Sequence, residues 1–156
     1  MPRILIPVLF FLAVAFSSCD KATVYSEHRS LPLSGWDADS ALNFNFSVKD
    51  TLSSYSVIIN VRHTDTYPYQ NMWLLVTDNH IPQTYQQTDT IEFYLANQRG
   101  EWLGSGNGRL HEMPVLYLKD CHFADTTMQH ISIRHGMRED VLKGVSDICL
   151  RIERNR

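Results

Sequence analysis

Apolar side chains recur at every second position in one segment after another of this chain, and that spacing constrains the fold more than any other feature. Leu42, Phe44, Phe46 and Val48 interleave with Asn43, Asn45 and Ser47, and Tyr55, Val57, Ile59 and Val61 interleave with Ser56, Asn60 and Arg62. Ile91, Phe93 and Leu95 alternate with Glu92 and Tyr94, Ile131 and Ile133 flank Ser132, and Ile148, Leu150 and Ile152 flank Cys149 and Arg151. Successive strand side chains point to opposite faces, so each segment offers one apolar and one polar face, as a half-buried strand does. Residues 72–77 are nearly all apolar and read as a central strand buried on both faces, and residues 115–118 are another short run. Seven or eight strands result. Turn-forming clusters separate them: Asp50-Thr51, Asp78-Asn79-His80, Asn97-Gln98-Arg99-Gly100 and the glycine-rich stretch 104–108. Helix signals are scarce, with only five alanines after residue 18, and residues 137–142 offer at most one helical turn before Gly144. The expected fold class is all-β, a single antiparallel β-sandwich, with a jelly roll as one arrangement.

The N-terminus has a different pattern. Residues 4–16 are apolar, follow one basic residue, Arg3, and end in Ser17 and Ser18 ahead of Cys19. A helix of that length rises roughly 20 Å, short of the about 20 residues that cross a core of roughly 30 Å, and Pro7 disfavours a continuous span. The run fits a cleaved signal peptide, and a cysteine directly behind small residues fits a bacterial lipoprotein signal, although Phe16 stands where such signals more often carry Leu. Residues 1–18 are therefore expected to be a lipoprotein signal peptide, 19–36 a lipidated tether and lead-in, and 37–156 the β-sandwich domain. Pro32 excludes a helix through the lead-in, and Gly35-Trp36-Asp37 marks the domain's edge. Attachment then comes from acyl chains at about 0.8 kcal/mol per buried methylene, not from a basic face.

Removing the signal takes away Arg3 and shifts the formal charge from −3 to −4. That mild charge, without a long basic cluster, argues against nucleic acid as a partner. With Cys19 used for lipid, Cys121 and Cys149 remain in a compartment where disulfides persist. They either pair, closing a loop worth roughly 3–4 kcal/mol, or stand apart on separate strands.

Residues with chemical potential do not assemble into a motif. His111-Glu112 has no second histidine one helical turn on, Cys121-His122 point to opposite faces of a strand, and His130 and His135 have opposite parity; no metal site is expected. The 104–108 stretch runs through Arg109 into Pro114 with no helix to present backbone N–H groups to a phosphate, so it reads as a hairpin or loop. Gly104-Ser105-Gly106 lacks the strand-turn-helix frame of a nucleophile elbow, and Asp37 and Asp39 lack the glycine and distal glutamate of a calcium loop. No catalytic residue and no cofactor is called for. Tyr67, Tyr69 and Trp102, with Trp73 nearby, are core or interface residues, or else a stacking surface for sugar rings.

Several blocks resemble one family: the lipoprotein start, Asp50-Thr51-Leu52-Ser53-Ser54-Tyr55, Tyr67-Pro68-Tyr69 through Asn71 to Val76, and Asp89-Thr90-Ile91-Glu92. Trp102-Leu103-Gly104, His135-Gly136-Met137-Arg138, Gly144-Val145-Ser146-Asp147 and Leu150-Arg151-Ile152-Glu153 complete the series. In that order they resemble the GldH gliding-motility lipoproteins of Bacteroidetes over nearly the whole mature chain. The resemblance implies a non-enzymatic envelope lipoprotein, lipid-anchored to a membrane at Cys19. Its implied partners are other proteins of the gliding-motility and type IX secretion-linked machinery, and because no run of acidic residues follows Cys19 its expected site is the outer membrane, facing the periplasm. A glycan- or peptidoglycan-binding lipoprotein module is the alternative.

Overall fold

The computed structural model describes residues 23–78 and 87–155; Cys19 and the segment 1–18 lie outside the described residues. The alternating segments form strands in chain order β1 (Thr23–Ser30), β2 (Trp36–Asp37), β3 (Leu42–Phe46), β4 (Tyr55–Thr64), β5 (Asn71–Asp78), β6 (Gln87–Tyr94), β7 (Ser105–Asn107), β8 (Leu110–Cys121), β9 (Gln129–His135), β10 (Val141–Leu142) and β11 (Val145–Arg154). Among the described residues the long strands pair as one rolled hairpin. The first pairs with the last (β1 with β11), then β3 with β9, β4 with β8 and β5 with β6, every pairing antiparallel. Sheets of order β1-β11-β4-β8-β7 and β3-β9-β5-β6 follow, which is the strand order of a jelly-roll sandwich. A small third sheet joins β10 to β2.

Period two decides what fills the space between the sheets. Val57, Ile59 and Val61 of β4 and Ile148, Leu150 and Ile152 of β11 meet Phe44, Met72, Leu74, Val76, Ile131 and Ile133 in one fully buried cluster. Each such side chain contributes about 1.5–3 kcal/mol by leaving water. Aromatic rings bridge the sheets at one end: Tyr25 to Phe46 at 5.4 Å, Phe46 to Phe123 at 5.5 Å, and Phe123 to Tyr55 at 5.4 Å between centroids.

The two ends of the sandwich differ in what they carry. Residues 47–54 and 122–128 join the sheets at the end where β1 begins and β11 finishes, while residues 65–70, 95–104 and 136–140 lie at the other. Asn155 clasps the first end: its Nδ2 donates to Asp120 Oδ1 at 2.8 Å and to Ser54 Oγ at 3.2 Å, and its Oδ1 accepts from Ser56 Oγ at 2.8 Å. At the opposite end Gly144 has φ +84° and its Cβ position lies 2.5 Å from Tyr67 Cα, so only glycine lets the turn into β11 pack there.

Three local expectations change. Residues 23–30 belong to the sandwich and not to a tether, because β1 pairs with β11 from Thr23 to Ser30; its inward positions are Tyr25, Glu27 and Arg29, which break the apolar alternation. Tyr25 donates to the Glu27 carboxylate, and the Arg29 guanidinium lies 5.8 Å from the Phe44 ring centre, covering the sandwich's edge. β5 is interior to its sheet but buried on one face only: Met72, Leu74 and Val76 are at 0% exposure and Trp73 at 36%. Residues 137–142 form no helix; Val141 and Leu142 pair with Asp37 and Trp36, driving Trp36 and Leu142 into the core. The glycine-rich stretch is the β7–β8 hairpin, turning at Gly108 with φ +69°.

The ring bridge makes a test. Phe123→Ala should lower stability by about 3–5 kcal/mol, whereas Leu52→Ala at the exposed crest of the 47–54 loop should stay within about 0.5 kcal/mol. Urea unfolding of the mature domain followed by circular dichroism measures both.

Candidate functional site

β5 enters its sheet at the end away from the start of β1, and its parity turns Trp73 outward. The segment after β9 folds back over that indole: Gly136 N–H donates to the Trp73 carbonyl at 2.7 Å, and Trp73 N–H donates to Met137 Sδ at 3.3 Å. A Cβ on Gly136 would sit 3.3 Å from Trp73 Cβ and 3.4 Å from Leu75 Cδ2, so the missing side chain allows the close approach. Tyr69 forms the facing wall and donates its hydroxyl to the Glu139 carboxylate, and that bond is the main reason its phenol ionises above the ordinary range. Asn71 Nδ2 donates to Glu92 Oε1 at 2.6 Å at the rim. With Arg138 these groups line a cleft of about 620 Å³.

The lining decides the chemistry. Trp73, Met137 and Tyr69 supply apolar and polarisable surface, and Arg138 has no ion-pair partner among the described residues while Glu139 is engaged by Tyr69. That arrangement suits reversible capture of an apolar or aromatic side chain next to an acidic group.

Of the three rings proposed from sequence as a stacking surface, Tyr69 alone reaches this cleft, where it meets the neighbouring Trp73. Tyr67 is 3% exposed, donates to the Asn71 carbonyl at 2.8 Å, and is held well above the ordinary tyrosine range by burial. Trp102 packs edge-on to His63 at 4.6 Å and tilts against His111 at 5.6 Å. Tyr69 stands at 77° to Tyr67, so the three rings form no coplanar surface for sugars. In the sequence Trp73 stands only as a neighbour of that aromatic set, because the apolar run 72–77 hides its parity, and no pattern of spacing marks Met137 and Arg138 as its partners. Thr77 on the same face as Trp73 was the signal that this face meets water.

Cys121 and Cys149 are free thiols. β4 lies between their strands, with Tyr55 opposite Cys121 and Asn60 opposite Cys149, a separation along β4 of roughly 16 Å at about 3.3 Å per residue. That distance excludes a bridge. Cys149 is 3% exposed under a polar lid on the outer face of the larger sheet. The lid consists of Arg62 with Glu112 at 3.2 Å and with Asp147 at 3.4 Å, His28 with Asp147 at 3.2 Å, and Asn60 Nδ2 donating to Glu112 at 2.5 Å. The Asn60 bond, followed by that of Arg62, holds the Glu112 carboxyl below its usual range. Among the described residues no group of three or more histidine, cysteine or carboxylate side chains is placed to hold a metal ion.

Comparison with known proteins follows the same boundaries. The family model described as "GldH lipoprotein" matches residues 23–152, starting at the first residue of β1. The "Gliding motility lipoprotein GldH homolog" of Christiangramia forsetii is 34% identical over 155 residues, covering 95% of this chain and 94% of that protein. The "Gliding motility lipoprotein GldH" of Flavobacterium johnsoniae is 31% identical over 153 residues, covering 94% of each. Among solved structures, the infectious bursal disease virus VP2 subviral particle matches at TM-score 0.31 and 11% identity, covering 84% of this chain and 33% of that one.

Two buried histidines set a pH dependence. His63 Nδ1–H donates to the Thr64 carbonyl at 3.2 Å and His135 Nε2–H to the Trp36 carbonyl at 3.0 Å, leaving His63 Nε2 and His135 Nδ1 buried without partners. A proton on either would add a charge and an unpaired N–H to the core, and burial accordingly lowers both pKa values. Above the unfolded value of about 6.5 both states are neutral; as pH falls below it the unfolded chain takes up the proton first. Stability should then drop by up to about 1.4 kcal/mol per pH unit for each histidine until the folded pKa is reached. Carboxylates with lowered values, Asp50, Glu112 and Asp125, act in a separate window below about pH 4.5. Urea midpoints between about pH 7 and pH 5 should fall for the wild type and fall less steeply for His135→Gln.

Proposed function

The chain belongs to the GldH lipoprotein family, and from that premise we propose that it is a lipid-anchored, non-enzymatic component of the gliding-motility and type IX secretion-linked machinery of the cell envelope. Cys19 is the lipid site, the outer membrane is the anchoring surface, and the sandwich faces the periplasm. The observation that carries the docking role is the cleft over Trp73: an indole at 36% exposure beside Met137 and Tyr69, on a sheet face that also carries Leu75, the exposed Tyr94 and Arg134 among polar side chains such as Asn43, Asn45, Thr77, Thr88 and Ser132. Trp, Tyr and Arg are the side chains in which docking hot spots are enriched, and Trp73, Tyr69 and Arg138 line this cleft together. Glycan binding is less well supported, because Tyr67 is buried and Trp102 is packed against two imidazoles.

Trp73→Ala should weaken docking by about 2 kcal/mol or more, near thirtyfold, and abolish spreading of colonies in a host that glides. The level, lipidation and thermal unfolding of the variant should match the wild type. Normal spreading by a stable Trp73→Ala, Arg138→Glu double variant would refute the cleft as the docking face. Retention of the mature domain on peptidoglycan through Tyr69 and Trp73 would favour the glycan reading instead.

A further inference from the structure

The length of chain between Cys19 and the sandwich fixes more than attachment. Three residues, Asp20, Lys21 and Ala22, separate Cys19 from Thr23, and Thr23 is already paired with Glu153 in the larger sheet. Four Cα steps of about 3.8 Å give a reach of roughly 15 Å at most. β4 alone has ten residues, roughly 33 Å at about 3.3 Å each. If Cys19 carries lipid, as the functional reading holds, the bilayer surface lies beside the end of the sandwich where β1 begins, and the opposite end stands clear of it.

Two loops at that same end hold exposed apolar tips in place. Leu52 is 91% exposed at the crest of the loop between β3 and β4. The Asp50 carboxylate accepts from Leu52 N–H at 2.9 Å and from Ser53 Oγ at 2.5 Å, and Tyr55 donates to the Asp50 carbonyl at 2.5 Å, so the crest is braced from beneath. Met128 is 68% exposed at the end of the loop between β8 and β9. Asp125 accepts from Thr127 N–H at 2.8 Å, and Phe123, 2% exposed, roots the loop against Phe46 and Tyr55. Both tips thus rise from one base, since the Phe123 ring touches the residues from which the Leu52 loop departs and returns.

We infer that Leu52 and Met128 insert into the membrane interface beside the lipid of Cys19, so that the sandwich stands end-on upon the bilayer and presents the Trp73 cleft away from it. A domain lying on its β1 edge would also fit the tether, but apart from Val24, 43% exposed near the start of β1, that edge would press Ser26, His28, Arg29 and Ser30, all exposed, against lipid. Apolar side chains lodged at the headgroup boundary favour the end-on posture, in the way an interfacial helix is held by its apolar face. At the far end Leu33, at 106% exposure, and Val141, at 42%, lie beyond the reach of the tether and stay in water.

Amide hydrogen exchange read by mass spectrometry tests this on the full mature lipoprotein, reconstituted in vesicles of phosphatidylethanolamine and phosphatidylglycerol, against the soluble Cys19→Ser domain. Peptides covering residues 50–54 and 124–128 should exchange several-fold more slowly on vesicles, and those covering 31–35 and 138–142 should not change. Equal exchange at 50–54 and 124–128 in both forms, with the acylated N-terminus confirmed by mass, overturns the end-on posture and leaves the anchor intact. An unacylated Cys19 in the cell-derived protein overturns both. Protection confined to 31–35 and 138–142 reverses the assignment of the two ends.

Discussion

The pairing of β1 with β11 is the contact on which the rest of the molecule depends. A rolled hairpin of eight long strands closes only when its first strand meets its last, and here that contact runs from Thr23 opposite Glu153 to Ser30 opposite Asp147. It covers the β11 edge, whose inward side chains Ile148, Leu150 and Ile152 are wholly buried. It also determines where the N-terminal tether emerges, and so which end of the sandwich lies next to whatever holds Cys19. Removing β1 would expose the ladder groups of β11 and leave a hydrophobic strand as a free edge.

From that closure follows a division of labour between the ends. At the end where β1 begins, Asn155 and Phe123 tie the two loops and the C-terminal strand into one block, by hydrogen bonds and by ring packing respectively. At the other end lie the Trp73 cleft and, behind it, the run of rings from Tyr67 through His63 to Trp102 and His111. Those packed rings, with Tyr67 and His63 buried and Trp102 and His111 partly so, give the cleft a rigid backing, because Tyr67 is fixed by the carbonyl of Asn71 at the start of the strand that carries Trp73. A binding surface on such a base loses little conformational entropy when it is occupied.

Much of this fold is legible in the residues themselves. The alternation of Tyr55, Val57, Ile59 and Val61, and of Ile148, Leu150 and Ile152, identifies the two central strands of the larger sheet and their inward faces. Family membership is legible in the ordered blocks from Asp50 to Glu153. The rest was hidden for identifiable reasons. β1 is an edge strand whose inward positions hold Glu27 and Arg29, so no apolar period marks it. In β5 a run of apolar residues conceals that one face meets water, and with it the outward orientation of Trp73. The cleft's other wall comes from Met137 and Arg138, more than sixty residues further along, and only the antiparallel pairing of β5 with β9 brings them over the indole. The free state of Cys121 and Cys149 likewise depends on β4 lying between their strands, which no spacing in the chain discloses.

As proposed, one end of this sandwich meets lipid and the other meets protein. Photo-crosslinking in the intact envelope tests it most directly, with a benzophenone side chain placed at position 52 in one strain and at the exposed Tyr94, on the same sheet face as Trp73, in another. The account predicts phospholipid adducts from position 52 and a discrete protein adduct from position 94 that disappears when Trp73 is also replaced by alanine. Protein adducts from position 52 together with lipid adducts from position 94 would contradict it.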